Sequence, residues 1–272
     1  MPLNTMPNIV RKHSLLILCS IWSCLFSHGT FAIERWQHDA YIENSFIKIA
    51  LEREYKKTAN PKIIRWEQPV KIFFSSDAGD SAFQKELLSV HAQHLSHITG
   101  LPIDFTLDPE EANLYAIFTY YNQMEDKVRQ YAGDPNKSRK ALDEALCLGK
   151  IFTNTHSEIT KSVIIIPVDY ARQKARFLDC IVEEITQLLG LPNDSGDVFP
   201  SIFNDVSTDI YLSPLDYLLL RTLYSPRLKT GLNVTQTKAI LPDIMKDLHQ
   251  TKEIENAINL VQEYSLKRYL GD

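Results

Sequence analysis

The chain has 272 residues, 44% of them hydrophobic and 23% charged, which is enough apolar mass for a substantial core and excludes a disordered or low-complexity protein. Its 34 acidic residues outnumber its 29 basic ones, for a formal net charge of -5, and such a surface repels nucleic acid. Internal repeats, a Gly-rich phosphate loop, a Ser-His-Asp ordering and a basic-aromatic patch are all absent from the sequence.

The chain opens with Arg11 and Lys12 ahead of an apolar run over 15–26, and Thr30 and Ala32 supply small residues where a signal peptidase reads them. This predicts a cleaved secretory leader over 1–32, cut after Ala32, and a periplasmic or secreted product. A permanent anchor is the rival, but the apolar run is shorter than the ~20 residues a spanning helix needs. Lipid attachment at Cys24 is disfavoured by Trp22 and Ser23 before it. Removing the leader leaves 27 basic residues against 34 acidic ones and only two cysteines, Cys147 and Cys180. An oxidising compartment favours their pairing into one disulfide, the alternative being two buried thiols.

Apolar residues at helical spacing predict a first helix over 36–55. A strand over 70–75 follows, introduced by Pro69, then a helix over 81–98 closed by Gly100. Strands are expected at 103–107 and 112–121, and the polar stretch 125–140 reads as a surface loop. Two more strands, 149–153 and the apolar 162–168, lead into a helix over 171–189 that ends at Gly190, with Phe177, Ile181, Ile185 and Leu188 as its core stripe. Ser213 and Pro214 then suit the N-cap and first position of another helix. The remainder, 234–272, reads as one or two polar-faced helices interrupted at Pro242. The expected organisation is a leader at 1–32, a helical segment at 33–65, a main domain at 66–232 and a helical tail at 233–272.

Within the helix over 171–189, Glu183-Glu184-x-x-Gln187-x-x-Gly190-x-x-Asn193 has the spacing of the zinc-protease signature H-E-x-x-H-x-x-G-x-x-H, yet every imidazole is missing. The order strand, helix, strands, motif helix, loop, helix resembles the metzincin proteases. Three further segments are similar to the matrixin branch. Thr99 to Thr106 resembles the strand after their first helix. Ser201-Ile-Phe-Asn-Asp is similar to their turn beneath the metal, with Phe203 in the place of a methionine. The segment 212–224 resembles their last helix, whose early Asp and late Leu-Tyr pair pack under the site.

The closer resemblance is to the bacterial secreted family filed as domain of unknown function 2927. It rests on Cys180, the E-E-x-x-Q helix, Gly190-Leu-Pro-Asn-Asp194, Ser201-Ile-Phe-Asn-Asp and Leu223-Tyr-Ser-Pro-Arg-Leu-x-x-Gly231, with Arg65-Trp66-x-x-Pro69 and Cys147-x-Gly149 in support. The resemblances imply an α+β, metzincin-like (zincin) domain with a mixed sheet, an active-site-type helix and extra helices at both ends. No activity comes with the family.

Glu183 and Gln187, at i and i+4, project from one helix face, and Asn193 reaches the same point if Gly190 turns the chain back. Three such oxygen ligands suit Ca²⁺, Mg²⁺ or Mn²⁺ better than Zn²⁺, and a single carboxylate among two amides binds any of them weakly. The expectation is therefore a cleft without a cofactor, lined by Glu183, Gln187, Asn193, Asp194 and Phe203, that holds a peptide or protein ligand of the cell envelope without cleaving it. The alternative is an active metal-dependent hydrolase with Glu183, Gln187 and Asn193 on the metal and Glu184 as general base. Adjacent helical carboxylates such as Glu183 and Glu184 diverge by about 100°, which weakens a metal-free acid-base pair.

Elsewhere, Asp194, Asp197, Asn204 and Asp205 read as turn chemistry. His91, His94 and His97 read as a solvated helix face, and Arg221 and Arg227 as surface or capping charges.

Overall fold

A computed structural model describes Met1 and residues 34–52, 60–204 and 206–272. The leader expected over 1–32 lies outside the described residues apart from Met1, as do Tyr55 and Asp205. Residues 35–272 form one compact unit. Its elements in chain order begin with α1 (Asp39–Leu51), β1 (Val70–Ser76), α2 (Ser81–Thr99), β2 (Ile103–Thr106) and β3 (Leu114–Thr119). The short helices α3 (Met124–Lys127) and α4 (Arg139–Glu144) come next, then β4 (Leu148–Thr153), β5 (Ile159–Pro167), α5 (Val168–Gln173) and α6 (Phe177–Gln187). Helices α7 (Pro214–Leu223), α8 (Val234–Gln250), α9 (Glu253–Leu260) and α10 (Leu266–Leu270) close the chain. Among the described residues, no helix is long and apolar enough to cross a membrane.

The fold is α+β with a mixed five-stranded sheet in the order β2-β1-β3-β5-β4. The first four strands run parallel, and β4 lies antiparallel to β5 at one edge. Val163, Ile164, Ile165 and Ile166 of β5 are fully buried, because this strand sits between two neighbours and is covered on both faces. Alternation along the strands divides the core. Ala116, Phe118, Ile164 and Ile166 face the main cluster with Leu88 and Leu95 of α2 and Ile181 and Ile185 of α6. Ile117, Val163 and Ile165 face a second cluster on the opposite side.

That second cluster corrects the expectation of a loop at 125–140. Met124, Val128 and Ala132, spaced four apart, are buried against the sheet, and the stretch is helical through α3 and a π-helical turn at Val128–Ala132. The expected helix over 171–189 is two helices. Ala175 takes a left-handed φ of 55° between α5 and α6, where the chain turns. Pro242 does not interrupt the tail. It lies inside α8, which continues because Leu241, Ile244, Met245 and Leu248 are buried along one side. The break comes later, at Lys252, with a φ of 58°.

Caps fix several ends. Asp80 accepts a hydrogen bond from the Phe83 backbone N–H at the start of α2, which closes at Gly100 in the left-handed region. Ser213 and Asp216 form a capping box on α7, with Pro214 at its first position. Each such cap contributes about 1 kcal/mol.

Candidate functional site

The motif helix α6 reads as strongly amphipathic, and its buried side carries Ile181, Val182, Ile185 and Thr186. Its other side faces a cleft of about 870 Å³, whose far wall is β4 and the segment leading into it. Glu183, Glu184, Gln187 and Asp194 all line this cleft. The Gln187 side-chain amide donates to Asp194 Oδ1 at 2.8 Å, tying the helix to the Gly-Leu-Pro-Asn-Asp turn beyond it. The Cys147–Cys180 disulfide, with a Cα–Cα distance of 5.9 Å, joins the start of β4 to the first turn of α6 and also lines the cleft.

Two of the expected residues do not reach the cleft. Asn193 is 4% exposed, and its side-chain amide donates to the backbone carbonyls of Lys48 and Asp194, so it anchors the turn on α1. Phe203 is fully buried in the main core. Asn193 is off the lining because the turn after Gly190 brings Pro192 and Asp194 to the cleft and Asn193 to the α1 side, and Phe203 is off it because it packs into the core.

Gly190 makes that turn for a reason of space as well as conformation. Its φ is 118°, and a Cβ placed there would stand 2.2 Å from the Ile64 carbonyl oxygen. The segment Ile64–Trp66 is what it approaches. Trp66 Nε1 donates to the Leu188 carbonyl at 3.0 Å, and the Tyr224 hydroxyl donates to the Leu189 carbonyl at 2.9 Å, so two carbonyls at the end of α6 are satisfied by side chains. Arg65, buried, donates to the Leu223 and Ser225 carbonyls at the end of α7. The Arg-Trp pair thus fastens the ends of both helices together.

Beneath this layer, Asp216 is fully buried. Its carboxylate accepts from the Ile202 and Ser213 backbone N–H groups at 3.1 and 2.8 Å and from the Ser201 hydroxyl at 2.5 Å. The early Asp of α7 therefore holds the Ser201–Phe203 turn. Burial pushes its pKa up to about 6, while these hydrogen bonds pull it down. Asn204 caps its own loop, its amide donating to the Val198 carbonyl at 2.8 Å and its oxygen accepting from the Val206 N–H at 3.0 Å. Asp197 pairs with Lys48 at 2.6 Å.

The cleft also contains residues that motif spacing did not single out. Glu144, Gly149, Ile151, Arg176 and Asp179 line it. Arg176 pairs with Asp179 and lies 4.0 Å from Glu183. A Cβ on Gly149 would stand 2.5 Å from Glu184 Oε2, so the bare strand backbone makes room for that carboxylate. Two features of the sequence would have located most of them. Arg176, Asp179 and Glu183 recur at helical spacing, and pairing Cys147 with Cys180 brings 144–149 against the same helix.

His91 and His94 are not solvated. Desolvation lowers their pKa values to about 3 and about 4, because α2 lies between α6 and the C-terminal helices. His91 Nε2 sits 3.1 Å from both the Val182 carbonyl and the Thr186 hydroxyl, and His94 Nε2 is buried with no hydrogen-bond partner. Arg221 is not a simple surface charge either. It is half-buried, grips Glu253 of α9 through Nε and Nη2, and donates to the Ile98 carbonyl. Arg227 pairs with Asp247 at the surface.

Among the described residues, no three or more His, Cys, Asp or Glu side chains are grouped so as to hold a metal ion. The zinc donor set does not fit this helix, since its imidazole positions carry Glu183, Gln187 and an Asn193 that faces elsewhere. What the fold and site define is an α+β domain with an acidic cleft between a helix and an edge strand. A family model described as protein of unknown function (DUF2927) matches residues 39–243, and the chain belongs to that family. No curated protein and no solved structure matches it.

Proposed function

We propose that this chain is an exported binding protein of the cell envelope with a metzincin-like body, whose cleft between α6 and β4 holds a peptide or protein ligand and does not hydrolyse it. The observation that carries the reading is the placement of Asn193. A hydrolytic metal centre at this spacing needs three donors at one point, and the third position, Asn193, is buried away from the cleft lining, its NH₂ group donating to the Lys48 and Asp194 backbone carbonyls. Glu183, Glu184, Gln187 and Asp194 nevertheless share one concavity of the size that ligand sites have.

Further support for the metzincin-like body comes from the parallel sheet with an antiparallel edge strand, the Gly190 turn, and the Asp216 and Tyr224 contacts under the motif helix. The leader-like first 32 residues and the disulfide support export.

The test is a peptidase assay on metal-stripped protein, repeated after adding Zn²⁺, Ca²⁺, Mg²⁺ or Mn²⁺, alongside elemental analysis of the natively purified protein. The expected result is no turnover under any condition. Activity restored by one of these ions and abolished by Glu184→Gln would overturn the proposal.

A further inference from the structure

We infer that the occupant of the cleft is an extended, basic segment of a partner protein, which adds as a strand to the outer edge of β4 and places a Lys or Arg side chain among the carboxylates of α6. The inference rests on reading the cleft as a binding site and goes further by naming what enters it.

Among the described residues β4 ends the sheet, so its outer edge carries no strand partner, and backbone groups at such an edge are a template for an incoming strand. Gly149, Ile151 and Thr153 of β4 line the cleft, the first two on one face by alternation and Thr153 just past an irregularity in the pairing with β5. Gly149 is exposed at this edge, and on its cleft face the Glu184 carboxylate takes the space a side chain would fill, which sets a carboxylate directly over the strand. An extended ligand running from Gly149 to Thr153 would span about 13 Å, or four to five residues, at the ~3.3 Å rise of a strand.

Charge selects which segment fits. The lining holds Glu144, Asp179, Glu183, Glu184 and Asp194, five carboxylates with partners of their own, against a single lining cation among the described residues, Arg176, which pairs with Asp179 and lies 4.0 Å from Glu183, while Lys140 approaches Glu144 at 3.8 Å. An acidic segment meets repulsion there, and a basic one meets attraction within low-dielectric walls. The formal charge of -5 on the whole chain acts in the same direction at longer range. A lone divalent cation is the other occupant that acidic side chains suggest. These carboxylates, however, are distributed along the cleft and not converged on one point, since among the described residues no group of three is arranged around a metal position. Distributed charge beside a strand edge matches a segment better than an ion.

The test uses the natively purified protein and fluorescence anisotropy with three labelled dodecapeptides of alternating Thr and a second residue, which is Lys, Gln or Glu. A fourth probe is the Lys peptide with alternate backbone nitrogens methylated, which cannot add as a strand. The Lys peptide should bind at least tenfold more tightly than the Gln and Glu peptides, and weaken as NaCl rises from 50 to 300 mM. N-methylation and the double variant Glu183→Gln/Glu184→Gln should each weaken it at least tenfold, the variant's near-ultraviolet circular dichroism and unfolding midpoint staying close to wild type. If that variant misfolds, the salt dependence and the methylated probe decide alone.

Equal binding of the Gln and Lys peptides overturns the inference while leaving the binding function standing. Indifference to N-methylation, binding abolished by EDTA, or binding of none of the peptides also overturns it. Peptide hydrolysis that Glu184→Gln removes would instead overturn the function on which it rests.

Discussion

Asp216→Ala should cost about 3–5 kcal/mol of folding stability at pH 7, and the structure fixes why. The substitution strands the Ile202 and Ser213 backbone N–H groups and the Ser201 hydroxyl in a buried layer, at about 1–3 kcal/mol for each backbone donor and less for the rotatable hydroxyl. That is a large share of the 5–15 kcal/mol by which domains are stable. Asp216→Asn should lose much less, because its amide oxygen keeps both backbone donors while its NH₂ faces Ser201, which can accept. The two substitutions also separate packing from charge. Burial raises the Asp216 pKa from 3.8 to about 6 in the folded protein. The folded state therefore binds the proton more tightly, so this group stabilises most below pH 3.8, and that contribution is lost as the pH rises through 6. Between pH 7 and pH 4.5 the wild type should gain roughly 2 kcal/mol from this group, and Asp216→Asn should not. Urea unfolding of the three proteins at both pH values reads these differences directly, provided the slopes with denaturant agree. An Asp216→Ala loss under 1 kcal/mol, or an Asp216→Asn deficit identical at the two pH values, would refute the reasoning.

Gly190→Ala should destabilise by more than about 3 kcal/mol or prevent folding, since a Cβ would stand 2.2 Å from the Ile64 carbonyl oxygen at a φ of 118°; thermal unfolding is the check. Replacing both cysteines by serine should cost about 3–4 kcal/mol by the loop-entropy relation for a separation of 33 residues, and a reductant should then leave the variant's urea midpoint unchanged while lowering that of the wild type. The Arg221–Glu253 pair should show a coupling of about 1–2 kcal/mol in a double-mutant cycle with alanine, because it is half-buried and bidentate. A coupling near zero would mean that α9 docks without help from this ion pair, through Ile254, Ala257 and the Tyr217 hydroxyl.

Much of the sheet was legible because its strands announce themselves. Apolar runs bounded by Pro69, Gly100 and Gly149 mark β1, β2 and β4, and the branched run of β5 could only be a covered central strand. Cap chemistry at Ser213 and Gly100 was equally plain. What failed was anything set by tertiary neighbours. The 125–140 stretch looks polar, yet three small or flexible apolar residues at four-residue spacing suffice to bury it on the sheet's far face. His91 and His94 look like a hydrophilic stripe, and only the docking of α6 and the C-terminal helices removes their water.

The cleft residues divide on the same ground. Glu183, Glu184 and Gln187 follow from position on one helix, whereas Asn193 lies past a glycine turn whose direction depends on Ile64, a residue 129 positions away in the chain and unreadable from local spacing.

The bridge between Cys147 and Cys180 carries a further implication for recognition. It crosslinks the two walls of the cleft, strand on one side and helix on the other, so they cannot part like jaws to admit a guest. A groove held open in this way meets its ligand already shaped, and little ordering of the protein is left to offset the attraction between them. Discrimination among guests then falls to their own outline and charge rather than to any closing motion of the host.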